Sequence, residues 1–428
     1  MAAKRKGFKQ SLPQTTPTLT TPTPELSPPT PATAQQSWPT FWIEQVNLVG
    51  FRGPQQLLSD SQGCVAAIAP QAETVDWPAD YRVKFSGDYL SLPGLDLQIN
   101  GVLGLPFPEV RGDEVGRFRL EQAGRFLAEA GVDSFLPTIV TCPVQQIRVA
   151  LGVFAQFLDK PDAGAKILGI HLEGPFLNPE RRGAHPQQHL LPLTIENVKR
   201  VLGDYSSVVK LITLAPELDE TGQVIPYLRD LGITVSLGHS QATASQAQTA
   251  FDQGVTMLTH AFNAMPGLHH RQPGPLGAAI ADPRVSYGLI ADGQHVDPLM
   301  LEMLIHTDRP EKRGTFLVSD ALAPLGLGDG VYPWDQREIT VTNGTARLGD
   351  GTLAGTTLPL FRGVQNLVKW GICSPDEAIR LATNAPRDAM SLPGLEVGYP
   401  LNRLVAWDYE PESRHLNWEY FGLPDLIM

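Results

Sequence analysis

Cysteine is nearly absent from this sequence of 428 residues, which contains only Cys64, Cys142 and Cys373. They lie far apart and form no CxxC pair, which excludes a disulfide scaffold and a cysteine-based zinc site and favours a reducing cytoplasm. Long apolar runs are missing too, and none approaches the roughly 18 residues needed to cross a bilayer, so we expect no membrane partner. The basic start MAAKRKGFKQ is not followed by an apolar segment, so a secretory signal is not expected.

Positive charge is also scarce. The chain holds 33 Lys and Arg against 45 Asp and Glu, which gives a formal net charge of −12. Nucleic-acid binding requires clustered positive charge, so no nucleic-acid partner is expected. Hydrophobic residues make up 42% of the chain, which is enough for a sizeable core.

The composition divides the chain into three parts. Residues 1–40 hold eight prolines and nine threonines with almost no bulky apolar residues, so we expect a disordered tail. Residues 41–93 and 391–428 contain short apolar stretches separated by turn residues, such as FWIEQVNLVGF and RLVAWDY. These two segments predict one small β domain built from both termini.

The middle segment, 94–390, alternates apolar runs with helix-like stretches such as 117–131 and 143–158. Continuous apolar runs separated by helices are typical of a parallel sheet that is buried on both faces. Eight such runs in about 300 residues predict a (β/α)8 barrel. An open doubly wound sheet is the alternative, although no GxGxxG follows the first run. The predicted strands are 95–99, 133–140, 166–172, 208–215, 233–238, 255–260, 285–291 and 315–319.

Polar residues follow these runs, at positions that a barrel gathers on its carboxyl-terminal rim. Glu173, His239 and His260 each come at the end of a different run. Two imidazoles and a carboxylate are good ligands for a divalent transition-metal ion and leave room for water. Asp320 follows the eighth run, and a carboxylate that is not a ligand could move a proton between water and a leaving group. Each residue alone has a structural explanation, such as a helix cap, but their joint occurrence favours a metal-dependent hydrolase.

Several longer segments resemble a known family. HLEGPF (171–176), GHS (238–240), THAFNAMPGLHHRQPG (259–274), DGQH (292–295), SDA (319–321) and LAGTT (353–357) are similar to the signature segments of N-acetylglucosamine-6-phosphate deacetylases, within the amidohydrolase superfamily. The matches run in the family's order across about 94–390. The resemblance implies hydrolysis of the acetamide of N-acetyl-D-glucosamine 6-phosphate to D-glucosamine 6-phosphate and acetate.

The resemblance also implies roles for individual residues. Glu173, His239 and His260 would bind the metal ion, Asp320 would be the general acid and base, and His185 would polarise the acetyl carbonyl. Arg271, reaching the neighbouring subunit of a homodimer, and His295 would serve the 6-phosphate. The residues implied in substrate binding are Ala184, Asn263, Ala264, Arg271, Asp292, His295, Leu353, Ala354 and Gly355.

One departure from the superfamily concerns the number of ions. Where many amidohydrolases have HxH, this chain has Gln98-Ile99-Asn100, and amide side chains are poor ligands beside imidazole. We therefore predict one divalent ion per subunit, with Zn²⁺ first and Fe²⁺, Co²⁺ or Mn²⁺ as alternatives. N-acetylgalactosamine 6-phosphate remains an alternative substrate, and a non-catalytic sugar-phosphate-binding protein an alternative function.

Overall fold

The computed structural model describes residues 38–158, 164–308 and 314–422. The predicted tail lies, apart from its last three residues, outside this part of the chain. Residues from Trp38 onward form one compact unit.

The first strands lie outside the barrel and form a four-stranded sheet in the order β3-β2-β1-β4. Their bounds are β1 Phe41–Val46, β2 Gln55–Ser59, β3 Val65–Pro70 and β4 Tyr81–Lys84. The next strand, β5 (Tyr89–Ser91), instead pairs with a strand from the other end of the chain, as described below.

The barrel begins at β6 (Gly94–Ile99), which is buried along its whole length. A short hairpin follows, formed by β7 (Gly101–Val102) and β8 (Leu105–Pro106). The other strands that belong to the barrel sheet are β9 Val132–Val140, β10 Lys166–Ile167, β11 Ile170–Glu173, β12 Val209–Leu214, β13 Thr234–Leu237, β14 Met257–Leu258, β15 Ser286–Leu289 and β16 Thr315–Leu317.

Parallel pairing runs β6-β9-β11-β12-β13-β14-β15-β16, and β10 extends the third predicted run along β9. The circle closes just beyond β16, where Ala321 pairs in parallel with Ile99. Asp320 N donates to Gln98 O at 2.9 Å and Asn100 N donates to Ala321 O at 2.7 Å. This order confirms the predicted (β/α)8 barrel and excludes the open sheet.

Ten α-helices pack around and beside these strands in the described residues: α1 Glu114–Glu129, α2 Val144–Phe154, α3 Ile195–Leu202, α4 Val224–Asp230, α5 Ala244–Gln253, α6 Gly274–Ala281, α7 Pro298–Ile305, α8 Leu360–Trp370, α9 Pro375–Ala382 and α10 Asn384–Ala389. Local sequence fixes several helix starts: Asp113 accepts from Gly116 N at α1, and Thr243 forms a capping box with Gln246 at α5. None of the helices in the described ranges is long and apolar enough to cross a membrane.

A second sheet, which the sequence did not predict, interrupts the barrel after β16. It is antiparallel and consists of β17 Gly330–Trp334, β18 Arg337–Thr342, β19 Thr345–Leu348 and β20 Leu353–Thr356. Thr356 at its end pairs with Ala321, so the inserted sheet is anchored beside the point of barrel closure.

The last strands in the described residues are β21 (Val405–Glu410) and β22 (His415–Tyr420), which form an antiparallel sheet with β5. Strands from both ends of the sequence therefore pair, and Cys64 also forms a bridge with Pro400. This pairing agrees with the expected small β domain, whose boundaries at 41–93 and 391–428 stay a prediction.

A largely buried ion pair lies between the barrel and the carboxyl-terminal segment. The guanidinium of Arg387 contacts Asp133 Oδ1 at 3.0 Å, and Tyr399 donates to Asp133 Oδ2 at 2.9 Å. Arg387 also donates to the carbonyls of Pro93 and Thr383. Removing one partner of such a pair leaves an uncompensated charge in the interior.

We expect Arg387→Ala to lower the free energy of unfolding by about 3 to 5 kcal/mol, as measured by urea denaturation. Arg82→Ala is the matched control, since Arg82 is exposed and pairs with Glu44 at the surface. That variant should lose only about 1 kcal/mol. Equal losses in the two variants would contradict this interpretation.

Candidate active site

Four side chains meet at the carboxyl-terminal ends of barrel strands. Glu173 is the last residue of β11, and His239, His260 and Asp320 follow β13, β14 and β16 within three residues. The backbones of His239, His260 and Asp320 have positive φ angles of 48°, 27° and 47°. This left-handed region is unfavourable for side-chain-bearing residues, and residues held in it cluster at functional sites.

Glu173, His239 and His260 converge on one point. Glu173 Oε1 lies 3.2 Å from His239 Nε2 and 3.1 Å from His260 Nε2, and the two Nε2 atoms are 3.0 Å apart. Ligands about 2.0 to 2.1 Å from a tetrahedral ion would be roughly 3.3 Å from one another. All three side chains are buried, and they form a group that could hold a metal ion. The spacing and the donor types both fit.

Hydrogen bonds prepare His239 for such a role. Its Nδ1 lies 2.8 Å from the carbonyl oxygen of Arg181, which can only accept, so Nδ1 carries a proton and Nε2 is the ring atom that faces the cluster. Burial opposes ionisation of Glu173, but its contacts with His239 and His260 outweigh burial and hold the pKa of Glu173 well below its usual value. Glu173 is therefore the ionised carboxylate of the cluster.

Asp320 lies beside this cluster and shares a hydrogen-bond donor with it. Gln98 Nε2 donates to Glu173 Oε1 at 3.0 Å and to Asp320 Oδ1 at 3.2 Å, and Asn100 Nδ2 donates to Asp320 Oδ1 at 2.8 Å. Within the described residues both side-chain donors reach Oδ1, so Oδ2 is the oxygen available to a substrate or water. Burial and the negative charge of Glu173 raise the pKa of Asp320 to about 6.

His185 reaches the site from the loop after β11. Its ring centroid is 4.5 Å from that of His239, and its Nδ1 lies 2.9 Å from Thr141 Oγ1. Burial and the neighbouring His239 lower the pKa of His185 to about 3, so the ring is neutral. A neutral imidazole has one N–H group that donates a hydrogen bond and one nitrogen that accepts one.

A chain of buried hydroxyls lies among the barrel strands that carry the cluster. His171 Nε2 contacts Thr213 Oγ1 at 2.8 Å, which contacts Thr259 Oγ1 at 2.7 Å, and Ser236 Oγ follows at 2.6 Å. These residues belong to β11, β12 and β13 or, for Thr259, directly precede His260. His171 also lies at a strand end in the sequence, but its side chain belongs to this buried hydrogen-bond chain inside the barrel.

A cavity of about 920 Å³ opens above the four side chains. The expected substrate-binding residues that line it are Ala184, Asn263, Ala264, His295, Leu353 and Ala354. The other three expected substrate-binding residues are not among those that line the cavity. Arg271 is exposed, Asp292 accepts from His295 Nδ1 at 2.7 Å, and Gly355 packs against the backbone of Asp320. A Cβ at position 355 would lie 2.8 Å from Asp320 O, so glycine permits the close approach.

The inserted sheet supplies part of the cavity wall that sequence reasoning missed. Trp334, Asp335 and Arg337, at the turn between β17 and β18, line the cavity. Arg337 Nη2 pairs with Asp335 and donates to the carbonyl oxygen of Ala184 at 2.9 Å. Thr141 was not predicted from the sequence either. Gln98 and Asn100 were noted there only because they stand where many amidohydrolases have two histidine ligands. Their position at the end of the first barrel strand was the available signal.

Residues 112–425 match the amidohydrolase family. The chain belongs to this family. It is 38% identical over 322 residues to N-acetylglucosamine-6-phosphate deacetylase of Bos taurus, a match that covers 73% of this chain and 77% of the relative. It is also 33% identical over 335 residues to N-acetylgalactosamine-6-phosphate deacetylase of Escherichia coli O157:H7, covering 78% and 85%.

The chain is also similar to solved structures of N-acetylglucosamine-6-phosphate deacetylases. The N-acetyl-D-glucosamine-6-phosphate deacetylase of Mycobacterium smegmatis, a mutant in complex with N-acetyl-D-glucosamine 6-phosphate, matches with a TM-score of 0.75 at 28% identity and covers 89% of this chain and 97% of that one. The enzyme of Pasteurella multocida matches with a TM-score of 0.73 at 27% identity, covering 89% and 100%. The resemblance predicted from the sequence motifs is confirmed.

We expect Gln98→Met to weaken cation binding by roughly 10- to 100-fold, because it removes the donor that Glu173 and Asp320 share. Competition with a chelator measures the affinity. Gln56→Met is the matched control, since Gln56 is a buried glutamine that binds Trp42 in the first sheet. That variant should lose stability but not affinity, and an equal loss of affinity in both would overturn the assignment.

Proposed function

We propose that this protein hydrolyses the acetamide of N-acetyl-D-glucosamine 6-phosphate, giving D-glucosamine 6-phosphate and acetate. The observation that carries this proposal is the placement of the Asp320 carboxylate, whose Oδ2 receives no side-chain donor from the described residues, beside the cluster of Glu173, His239 and His260 at the base of a sugar-sized cavity. The similarity to the bovine and mycobacterial deacetylases supports the substrate.

One divalent ion per subunit is held by Glu173, His239 and His260 in this proposal. Their nitrogen and oxygen atoms suit Zn²⁺ first, with Fe²⁺, Co²⁺ and Mn²⁺ as alternatives. When bound, the ion supplies Lewis acidity that lowers the pKa of water and favours negative charge on oxygen. Gln98 and Asn100 occupy the end of β6 with amides that already serve Asp320, which supports a single ion.

Asp320 and His185 carry the proton steps. Asp320 accepts a proton from water through Oδ2 as the water oxygen forms a bond to the acetyl carbon. His185 hydrogen-bonds the carbonyl oxygen, where negative charge develops. Protonated Asp320 then donates to the nitrogen as the carbon–nitrogen bond breaks, because an amine anion is a poor leaving group. One carboxylate thus acts first as base and then as acid.

The 6-phosphate and the subunit arrangement belong to the same proposal. Asn263, Ala264 and His295 contact the substrate from the loops after β14 and β15, and Leu353 and Ala354 bound the sugar end together with Ala184. Asp292 contacts His295, and Gly355 packs against the backbone of Asp320.

Arg271 is exposed on the loop before α6, which leaves it available to the site of a second copy in a homodimer. Light scattering of the purified chain tests the dimer.

The location of the protein is proposed as cytoplasmic. All three cysteines, Cys64, Cys142 and Cys373, are free thiols in the structure. Free thiols are typical of a reducing compartment.

N-acetylgalactosamine 6-phosphate is the second candidate substrate, favoured by the similarity to the Escherichia coli enzyme. The two sugars differ at one hydroxyl, and comparing kcat/KM for acetate release from each decides between them. A protein that only binds sugar phosphates would release no acetate from either.

We expect Asp320→Asn to retain its metal ion and lose about a thousandfold in kcat, because the amide cannot accept and return a proton. Asparagine also tolerates the left-handed backbone at this position. Acetate release and elemental analysis provide the two measurements. Glu173→Ala is the paired variant and should lose the ion itself. Near-normal turnover in Asp320→Asn would refute the role of Asp320.

A further inference from the structure

Thr141 contacts the one predicted catalytic histidine that is not in the metal cluster. It directly follows β9 and is almost fully buried. Its hydroxyl oxygen lies 2.9 Å from His185 Nδ1, and its backbone N–H points at the same nitrogen at 3.4 Å. Both polar groups of Thr141 that can donate therefore face one ring atom.

The direction of these bonds determines which ring nitrogen carries the proton. A backbone N–H can only donate, so Nδ1 must be the acceptor and must be unprotonated. The hydroxyl of Thr141 could instead donate to the Glu173 carbonyl, but that contact is longer, at 3.3 Å. An imidazole ring that is unprotonated at Nδ1 carries its single proton on Nε2. In the described part of the chain the hydrogen bonds of the ring are made at Nδ1, which leaves Nε2 to the cavity that His185 lines.

We propose that Thr141 is a positioning residue that fixes His185 as the Nε2–H tautomer, so that His185 presents a hydrogen-bond donor, and not a base, to the substrate. This inference rests on the proposed function and deepens it. An Nε2–H group can donate to the carbonyl oxygen of the acetamide. The opposite tautomer would present a lone pair to that oxygen and repel it.

The surroundings keep Thr141 and His185 in this arrangement. A Cβ at position 174 would lie 2.3 Å from Thr141 Oγ1, so the hydroxyl is packed against the backbone of Gly174. On the other side, Arg182 donates to the carbonyl of His185 at 3.0 Å, and Arg337 donates to the carbonyl of Ala184. The ring is thus held at Nδ1 and its backbone is held from two directions.

The test compares wild type with Thr141→Val, which removes the hydroxyl at nearly constant volume, and Thr141→Ser, which retains it. Proteins labelled with ¹⁵N-histidine report the protonation of each ring nitrogen by NMR, and a His185→Gln variant assigns the signals of His185. We expect Nε2 to be protonated and Nδ1 unprotonated in wild type and in Thr141→Ser. In Thr141→Val the contact at 2.9 Å is lost and only the longer backbone N–H contact at 3.4 Å remains, so the signals of His185 should shift toward the other tautomer.

Kinetics provide the second readout. We expect kcat of Thr141→Val to fall about tenfold, as for loss of one hydrogen bond, while KM changes little because His185 acts on charge that develops during the reaction. Thr141→Ser should restore kcat. Thr383→Val is the matched control, since the buried hydroxyl of Thr383 hydrogen-bonds to Ile379 O and Asn384 Oδ1, two residues that are not among those lining the cavity.

A wild-type spectrum with Nδ1 protonated would overturn the proposal, as would wild-type kcat in Thr141→Val. Failure of the proposed function gives a different result: wild type would release no acetate, while the spectrum would still report the tautomer of His185.

Discussion

Closure of the parallel sheet is the interaction on which the rest of the site depends. The chain just beyond β16 returns to the end of β6, where Asp320 N binds Gln98 O and Asn100 N binds Ala321 O. These backbone bonds place the carboxylate of Asp320 within reach of the side chains of Gln98 and Asn100, which are more than 200 residues away in sequence. A sheet that stayed open at this edge would bring the metal cluster together and leave Asp320 apart from it.

Two acidic groups coexist in this buried space because neutral amides separate them. Glu173 and Asp320 would repel each other if both were ionised without partners. Gln98 donates to both, and Asn100 adds a second bond to Asp320. Histidines at these two positions would compete for a cation and would lose this sharing. The Gln98-Ile99-Asn100 segment thus accounts for two carboxylates with different tasks, one facing the imidazoles of His239 and His260 and one facing the cavity.

The sequence was sufficient to predict the eight barrel strands, because each is a continuous apolar run bounded by turn residues. It also predicted the meeting of Glu173, His239, His260 and Asp320, since strand order alone brings strand ends together. It did not predict the inserted sheet at β17–β20, whose strands are short and partly exposed and carry a weak apolar pattern. The sequence also does not predict the contacts of Thr141 and Arg337, because these depend on the directions of side chains from loops that are distant in sequence.

The inserted sheet is joined to the loop that carries His185 through one guanidinium–carbonyl bond, from Arg337 to Ala184. Its turn forms a cavity wall, while its opposite end is fixed at the barrel closure by the pairing of Thr356 with Ala321. The cavity wall formed by the inserted sheet and the reacting residues at the barrel strand ends therefore belong to separate parts of the chain, which are in contact at a few atoms. Substitution of Trp334 would change which acyl sugars the cavity admits, because Trp334 lines the wall, while Glu173, His239, His260 and Asp320 lie at barrel strand ends outside the inserted sheet.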